Sequence, residues 1–237
     1  MAQVEFVGLT KRFGAVLAVD DLSVDVEAGR VTGFLGPNGA GKTTTLRMML
    51  GLVRPTAGAA LVAGRAYVDH PRPRRVVGAV LEVGGFHPAR RGRDHLRLVA
   101  RATDADPGRV DTVLELAGLG DAGDRRVGGY SLGMRQRLAL ATALLGDPEV
   151  LVLDEPANGL DPDGVAWLRR MLRSLAADGR TVLVSSHLLS EVAQTVDDVL
   201  VVDRGRLRYA GPLDGLTGPG VTLEDAFFAL TSREVAS

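Results

Sequence analysis

The chain carries a glycine-rich stretch that reads Gly36-Pro37-Asn38-Gly39-Ala40-Gly41-Lys42-Thr43-Thr44. Over residues 36–43 it fits the pattern of a phosphate-binding loop, G-x-x-x-x-G-K-[ST]. The apolar residues 31–35 predict a buried strand before the loop, and residues 44–50 predict a helix after it. Glycines let the backbone turn its N–H groups toward a polyphosphate, and the N-terminus of the helix adds a positive partial charge. We therefore expect residues 36–44 to bind a polyphosphate.

Two residues of this loop have specific predicted roles. Lys42 is expected to bridge the β- and γ-phosphates, and the Thr43 hydroxyl to ligate Mg²⁺. Composition supports Lys42, because the 28 basic residues include only two lysines, Lys11 and Lys42. A compact ammonium suits such a pocket better than a broad guanidinium fork. The alternative interpretation is a turn that matches the pattern by chance.

Composition limits the classes of protein that need to be considered. The 237 residues are enough for one large domain or two small ones, and 46% of them are hydrophobic. The formal net charge is -1, so bulk charge does not indicate a nucleic-acid partner. The chain has no cysteine, its first residues lack a signal-peptide pattern, and no stretch approaches the ~18–20 apolar residues of a membrane span. We expect a cytoplasmic protein that reaches a membrane only through a partner.

Secondary-structure patterns divide the chain into regions. Alternating apolar and polar residues over 4–26 predict antiparallel strands, and later strands that alternate with helices predict a parallel sheet. Composition shifts to Gly, His and Arg over residues 83–93, which indicates a boundary to another subdomain. A loop at residues 130–134 is predicted to precede a helix at 135–145.

Two acids follow the apolar strand predicted at residues 150–153. Asp154 is expected to hold Mg²⁺ together with Thr43, and Glu155 to orient or deprotonate the water that attacks the γ-phosphate. His187 also follows a predicted strand, so it is a candidate for contact with the γ-phosphate; the alternative is a packed or surface histidine. Phe13, upstream of the loop, is predicted to stack on a nucleobase, or else to pack on the sheet as a hairpin residue.

Taken together, these motifs resemble an ATP-binding cassette (ABC) ATPase along essentially the whole chain. The matching segments are residues 36–43 (Walker A), 130–137 (the signature L-S-G-G-Q-x-Q-R), 151–156 (Walker B with the catalytic glutamate), 158–162 (the D-loop), His187 (the switch histidine) and Phe13 (the aromatic on adenine). The resemblance implies an α/β P-loop NTPase core with a parallel sheet, an antiparallel β subdomain and an inserted helical subdomain at about 86–146, all within one domain at 1–237.

The resemblance also implies a mechanism and partners. Two cassettes face each other head to tail, and each ATP lies between Walker A of one and the signature of the other. Ser131 and the backbone N–H of Gly133 would bind the γ-phosphate across that interface, and Asp161 of the D-loop is also expected to bind nucleotide. A separate integral membrane permease would hold the protein at the inner face of the cell membrane. No nucleic acid is expected as a partner.

Two departures from the family pattern matter, one in the signature and one at residue 82. The signature has two Gly and a Gln. Leu132 replaces one of the two Gly and Met134 replaces the Gln, so the contacts of that Gln are lost. Glu82 stands where the family usually has Gln, and a carboxylate there would reach Mg²⁺ and nucleotide through water. These variants, with Tyr130 and residues 82–88, resemble cassettes that serve bacterial antibiotic, lantibiotic or bacitracin-type exporters.

Other functions within the family stay open at this point. A non-transport cassette for DNA maintenance or translation is one, although such relatives generally carry a long coiled-coil or zinc insertion or a second cassette. A defective ATPase is another, although Glu155 and Lys42 are both present. Arg90, Arg91 and Arg93 are predicted to face the permease or anionic lipid, or to form a solvated loop.

Overall fold

The fold is seen in a computed structural model that describes residues 2–81, 84–103, 105–186, 189–218 and 220–231. Its strands are β1 (Ala2–Phe13), β2 (Val16–Glu27), β3 (Val31–Leu35), β4 (Ala57–Val62), β5 (Val77–Val80), β6 (Val150–Asp154), β7 (Thr181–Ser186), β8 (Asp198–Asp203) and β9 (Arg206–Pro212). Its helices are α1 (Lys42–Met49), α2 (Pro73–Val76), α3 (Gly92–Ala102), α4 (Arg109–Leu116), α5 (Leu132–Leu144), α6 (Pro162–Ala177), α7 (Leu189–Ala193) and α8 (Leu223–Thr231).

The strands form two sheets. One is a three-stranded antiparallel sheet with the order β2-β1-β4, which confirms the antiparallel strands expected over residues 4–26. The other has six strands in the order β5-β6-β7-β3-β8-β9, and only β9 runs antiparallel to its neighbour. The parallel core places the carboxyl ends of β3, β6 and β7 at one edge, where sites form in such sheets.

The core lies on both faces of the larger sheet. Successive side chains of a strand point to opposite faces, and the buried strands follow this rule. Leu151 and Leu153 pack with α3, α4, α5 and α6, whereas Val150 and Val152 pack with the antiparallel sheet and α1. Burial on both faces explains why β6 is almost continuously apolar.

Helix α5 begins earlier than the sequence predicts. The expected loop at 130–134 and helix at 135–145 are wrong at their boundary, because α5 begins at Leu132 and ends at Leu144. The reason is a side-chain cap: Ser131 Oγ accepts a hydrogen bond from the backbone N–H of Met134 at 3.2 Å. Gly133 therefore lies in the first turn of the helix rather than in a loop.

Helix α5, which lies between β5 and β6 in the chain, packs directly against the larger sheet. A Cβ at Gly78 of β5 would lie 2.3 Å from the carbonyl oxygen of Ala143, so α5 packs against the strand at glycine distance. The subdomain limits of about 86–146 within a single domain stay a prediction. In the part of the chain that the structure describes, we find no helix with the length and apolar character needed to span a bilayer.

Candidate active site

The phosphate-binding loop closes around the ammonium of Lys42. β3 ends at Leu35, and α1 begins at Lys42, so the loop fills the interval between them. Lys42 Nζ donates to the carbonyl oxygen of Gly36 at 2.6 Å and to that of Pro37 at 3.3 Å. Carbonyl oxygens therefore hold the ammonium in the position from which it can exchange them for phosphate oxygens.

Two glycines of the loop are required by close backbone contacts. Gly41 has φ +104, and a Cβ there would lie 2.4 Å from the carbonyl oxygen of Ala18 on β2. A Cβ at Gly36 would lie 2.4 Å from the carbonyl oxygen of Val202 on β8. Strands from both sheets thus contact the backbone of the loop, and only glycine fits at residues 36 and 41.

Burial shapes the electrostatics of Lys42. The residue is only 7% exposed, and this desolvation lowers the pKa of its ammonium below the ordinary value, while the nearby carboxylates of Glu155 and Asp154 act in the opposite direction. A buried cation among backbone carbonyls is a strong attractor for an anion, because few water molecules screen it.

The first acid after β6 lies beside the loop. Thr43 Oγ1 donates to Asp154 Oδ2 at 2.7 Å, and Ser185 Oγ donates to the other carboxylate oxygen, Oδ1. The second contact follows from the parallel register, in which Asp154 pairs with Ser185 of β7. Sequence reasoning misses Ser185, because its role depends on which strands are neighbours.

The second acid is held in a strained backbone conformation. Glu155 has φ +52, a region that costs non-glycine residues about 1–2 kcal/mol. Its backbone N–H donates to the carbonyl oxygen of Ser185 at 3.2 Å and to Ser185 Oγ at 3.1 Å. Such strain persists only where surrounding contacts fix it, and it is typical of functional sites. Asp154 and Glu155 line the same cleft as residues 38–44.

The oxygens of Thr43 and Asp154 fit a magnesium ion. A hydroxyl and a carboxylate are hard oxygen donors, and Thr43 Oγ1 lies 2.7 Å from Asp154 Oδ2, so the two oxygens could be ligands of one ion. Within the described ranges no three His, Cys, Asp or Glu side chains cluster as a metal site. Few protein ligands suit Mg²⁺, which usually takes the rest of its shell from phosphates and water.

A second cleft contains the signature residues and lies apart from the first. It is lined by residues 131–134, Arg137, residues 159–161 and Gly164, and it shares no lining residue with the cleft around Lys42. Ser131 is exposed at the N-terminus of α5, with Gly133 in the first turn of that helix. Asp161 caps α6, where its Oδ1 accepts from the N–H of Gly164 at 2.8 Å. These three predicted residues are together, but not beside Lys42.

Phe13 lines neither of the two clefts. Phe13 is 49% exposed at the end of β1, with Lys11 Nζ 4.9 Å from its ring centroid, so the expected exposure is present and its contact with a base stays a prediction. Glu82 and His187 both lie outside the residues that the structure describes. Their roles as metal, nucleotide and γ-phosphate contacts stay predictions.

Comparison with known proteins agrees with this geometry. Residues 19–158 match the ABC transporter family. The chain belongs to that family. It is 44% identical over 211 residues to the bacitracin transport ATP-binding protein BcrA of Bacillus licheniformis, a match that covers 88% of this chain and 69% of that protein. It is 42% identical over 211 residues to the Nod factor export ATP-binding protein I of Burkholderia lata, covering 87% and 69% respectively.

Solved structures give the same fold. An ATP-binding subunit of an ABC transporter superposes with a TM-score of 0.85 at 27% identity, covering 96% of this chain and 99% of that one. The predicted fold class is confirmed, as is the resemblance to bacitracin-type cassettes. This ABC ATPase is the ATP-binding subunit of a transporter, and it binds and hydrolyses nucleotide.

Proposed function

We propose that this ABC ATPase drives an exporter of peptide, antibiotic or multidrug type through a separate membrane permease. The names of the two relatives support the direction and the class, because one serves bacitracin transport and the other Nod factor export. Both are named as ATP-binding proteins of a transport system, and we therefore assign the translocation path to another chain. The subunit would then act at the inner face of the membrane.

We also propose that it works as a head-to-tail dimer of cassettes. The observation that carries this proposal is the separation of the two clefts: Lys42 and Asp154 line one, whereas Ser131 and Gly133 line the other. Helix α5 has 13 residues, and its capped N-terminus carries the positive end of its dipole at Ser131. A partner cassette that presents ATP to this end would complete both sites, with a second copy of this chain as the simplest partner.

Each residue of the first cleft has a proposed task in hydrolysis. The backbone N–H groups of residues 38–44 would bind the phosphates, and Lys42 would stabilise the negative charge that develops on the γ-phosphate. Thr43 and Asp154 would hold Mg²⁺, which supplies neutralisation of the β- and γ-phosphate oxygens. Glu155 would orient the attacking water and accept its proton.

The experiment that tests this proposal compares the wild type with Glu155→Gln. Wild-type protein should hydrolyse MgATP, whereas Glu155→Gln should bind ATP without turnover and run as a dimer in gel filtration only when ATP is present. Glu149→Gln makes the same chemical change at an exposed residue outside the cleft, and it should behave as the wild type does.

The outcomes separate the parts of the proposal. Unchanged turnover in Glu155→Gln would remove this residue from catalysis. An ATP-bound Glu155→Gln protein that stays monomeric would show that a second copy of this chain does not complete the site, and that a different cassette is needed.

A further inference from the structure

Leu132 packs directly on the backbone of Gly159. It is the first residue of α5, and its side chain remains 54% exposed in the second cleft. A Cβ built on Gly159 would lie 2.2 Å from Leu132 Cδ2 and 2.9 Å from Leu132 Cγ. Gly159 also has φ +77, so its backbone already favours glycine. The leucine therefore occupies the space that a side chain at residue 159 would need.

Two further contacts continue this seam along α5. A Cβ at Gly133 would lie 3.4 Å from Leu160 Cδ2, which is ordinary van der Waals distance. One turn later, the guanidinium carbon of Arg137 lies 4.3 Å from the centroid of the Trp167 ring on α6. The N-terminal half of α5 thus packs against residues 159–160 and α6 at several points, and at Leu132 the packing leaves no room for a Cβ on the facing residue.

The segment that Leu132 touches leads back to the catalytic acid. The backbone N–H of Asn158 donates to the carbonyl oxygen of Glu155 at 3.2 Å, and that of Leu160 donates to Ala157 at 3.1 Å. These two hydrogen-bonded turns restrict the backbone between Glu155 and Gly159. A displacement of residues 158–160 must therefore change the position of Glu155, whose backbone is strained already.

We propose that Leu132 is a positioning residue that joins the signature residues of this chain to its own Glu155. Its contact with Gly159 makes the N-terminus of α5 and residues 155–160 move as one unit. This inference rests on the proposed function, in which Ser131 and Gly133 contact ATP held by the partner cassette. Occupation of the partner's site would then be transmitted to Glu155 in this chain. A glycine at residue 132, as in the family signature, would leave this contact unmade.

The test is a double-mutant cycle on residues 132 and 159, read by steady-state ATPase kinetics. Leu132→Ala should lower kcat by about fivefold or more and change KM for ATP by less than about twofold, because the residue acts on Glu155 and does not touch the loop around Lys42 that holds the phosphates. Leu132→Met, which keeps a long apolar side chain, should retain wild-type kcat. Gly159→Ala should be slower than the wild type, because its Cβ collides with Leu132.

The double variant decides between positioning and mere instability. Leu132→Ala should raise kcat when it is added to Gly159→Ala, because it removes the colliding side chain. Gly64→Ala is the matched control for backbone strain, since Gly64 has φ +73 and, among the described residues, no neighbouring atom lies within 4 Å of the position that its Cβ would take. It should melt lower than the wild type and keep full kcat.

Three results would overturn the inference: wild-type kcat in Leu132→Ala, equal losses in Leu132→Ala and Leu132→Met, or a double variant no faster than Gly159→Ala. If Gly159→Ala does not fold, the comparison of Leu132→Ala with Leu132→Met still decides. If the proposed function is wrong, the wild type itself would lack turnover, which distinguishes this outcome from the three results above. Thermal unfolding of the four proteins of the cycle would still report whether Leu132 contacts Gly159.

Discussion

Replacement of Gly41 by alanine should weaken ATP binding strongly while the protein still folds. The new Cβ would lie 2.4 Å from the carbonyl oxygen of Ala18, so the loop or β2 must move by about 1 Å to restore ordinary contact. In addition, φ +104 is unfavourable for alanine by about 1–2 kcal/mol. The loop begins α1 at this point, and its N–H groups are the expected phosphate donors.

The magnitude follows from the hydrogen bonds at stake. Loss of one hydrogen bond to a charged phosphate amounts to about 1.5–3 kcal/mol, which is roughly 10- to 150-fold in affinity. A slowly hydrolysed ATP analogue at 100 times the wild-type Kd should stabilise the wild type by about 2.7 kcal/mol. For a loss of about 100-fold, the same concentration equals the weakened Kd and should stabilise Gly41→Ala by only about 0.4 kcal/mol.

Thermal unfolding with and without the analogue and Mg²⁺ is the assay. Gly64→Ala again serves as the control, because it carries similar backbone strain in open space. Its melting temperature should fall by roughly 2–8 °C, with the full ligand-dependent gain retained. A Gly41→Ala protein with the wild-type gain would refute the reasoning, because the contact with Ala18 would then place no constraint on the loop.

Two other predictions concern pH. As the pH rises through the lowered pKa of Lys42, the affinity for ATP should fall, because phosphate stabilises the charged ammonium. Near that pKa, ATP binding should therefore be accompanied by proton uptake, which titration calorimetry in two buffers of different ionisation enthalpy measures. Lys42→Arg should show no such uptake, because a guanidinium stays protonated. Burial raises the pKa of Asp147, but the hydrogen bond and charge of Arg180, with Arg109 and Arg75, outweigh it, so the net shift is downward. Because the folded pKa is the lower one, the stabilisation exists above the unfolded pKa and is lost as pH falls through the folded pKa. Asp147→Asn should therefore lower the free energy of unfolding at pH 7 by about 0.5–1 kcal/mol, since the site is half-exposed and asparagine tolerates its φ of +56. The difference from the wild type should disappear in acid. A difference that is unchanged at low pH would argue against the ion pairs.

Much of the fold can be predicted because its signals are local. The alternation over residues 4–26 and the apolar run before Asp154 each report the burial of a single strand, and both predictions agree with the observed strands. The start of α5 lies three residues earlier than the pattern predicts. Its cap depends on a hydrogen bond that Ser131 makes to Met134, and serine is also common in loops, so the pattern alone favours a loop.

The candidate site likewise has residues that can be predicted from the sequence and residues that cannot. The phosphate-binding loop is contiguous, so its glycines, Lys42 and Thr43 can all be identified from one stretch. Ser185 and the contact of Leu132 with Gly159 give no signal, because each joins segments that are distant in sequence. Ser185 meets Asp154 only because β6 and β7 are neighbours in one particular register.

The sequence by itself determined the chemistry of this protein: a loop of backbone donors, a lysine, a hydroxyl and two acids at strand ends. These features are set by residue type and short spacing, because backbone freedom and side-chain charge belong to individual residues. Tertiary structure decided how they meet. It brought Thr43 within 2.7 Å of Asp154 across 111 residues of chain, and it strained Glu155 against Ser185. It also separated Ser131 from Lys42, because the packing of α5 on β5 fixes which face of the molecule the signature residues occupy.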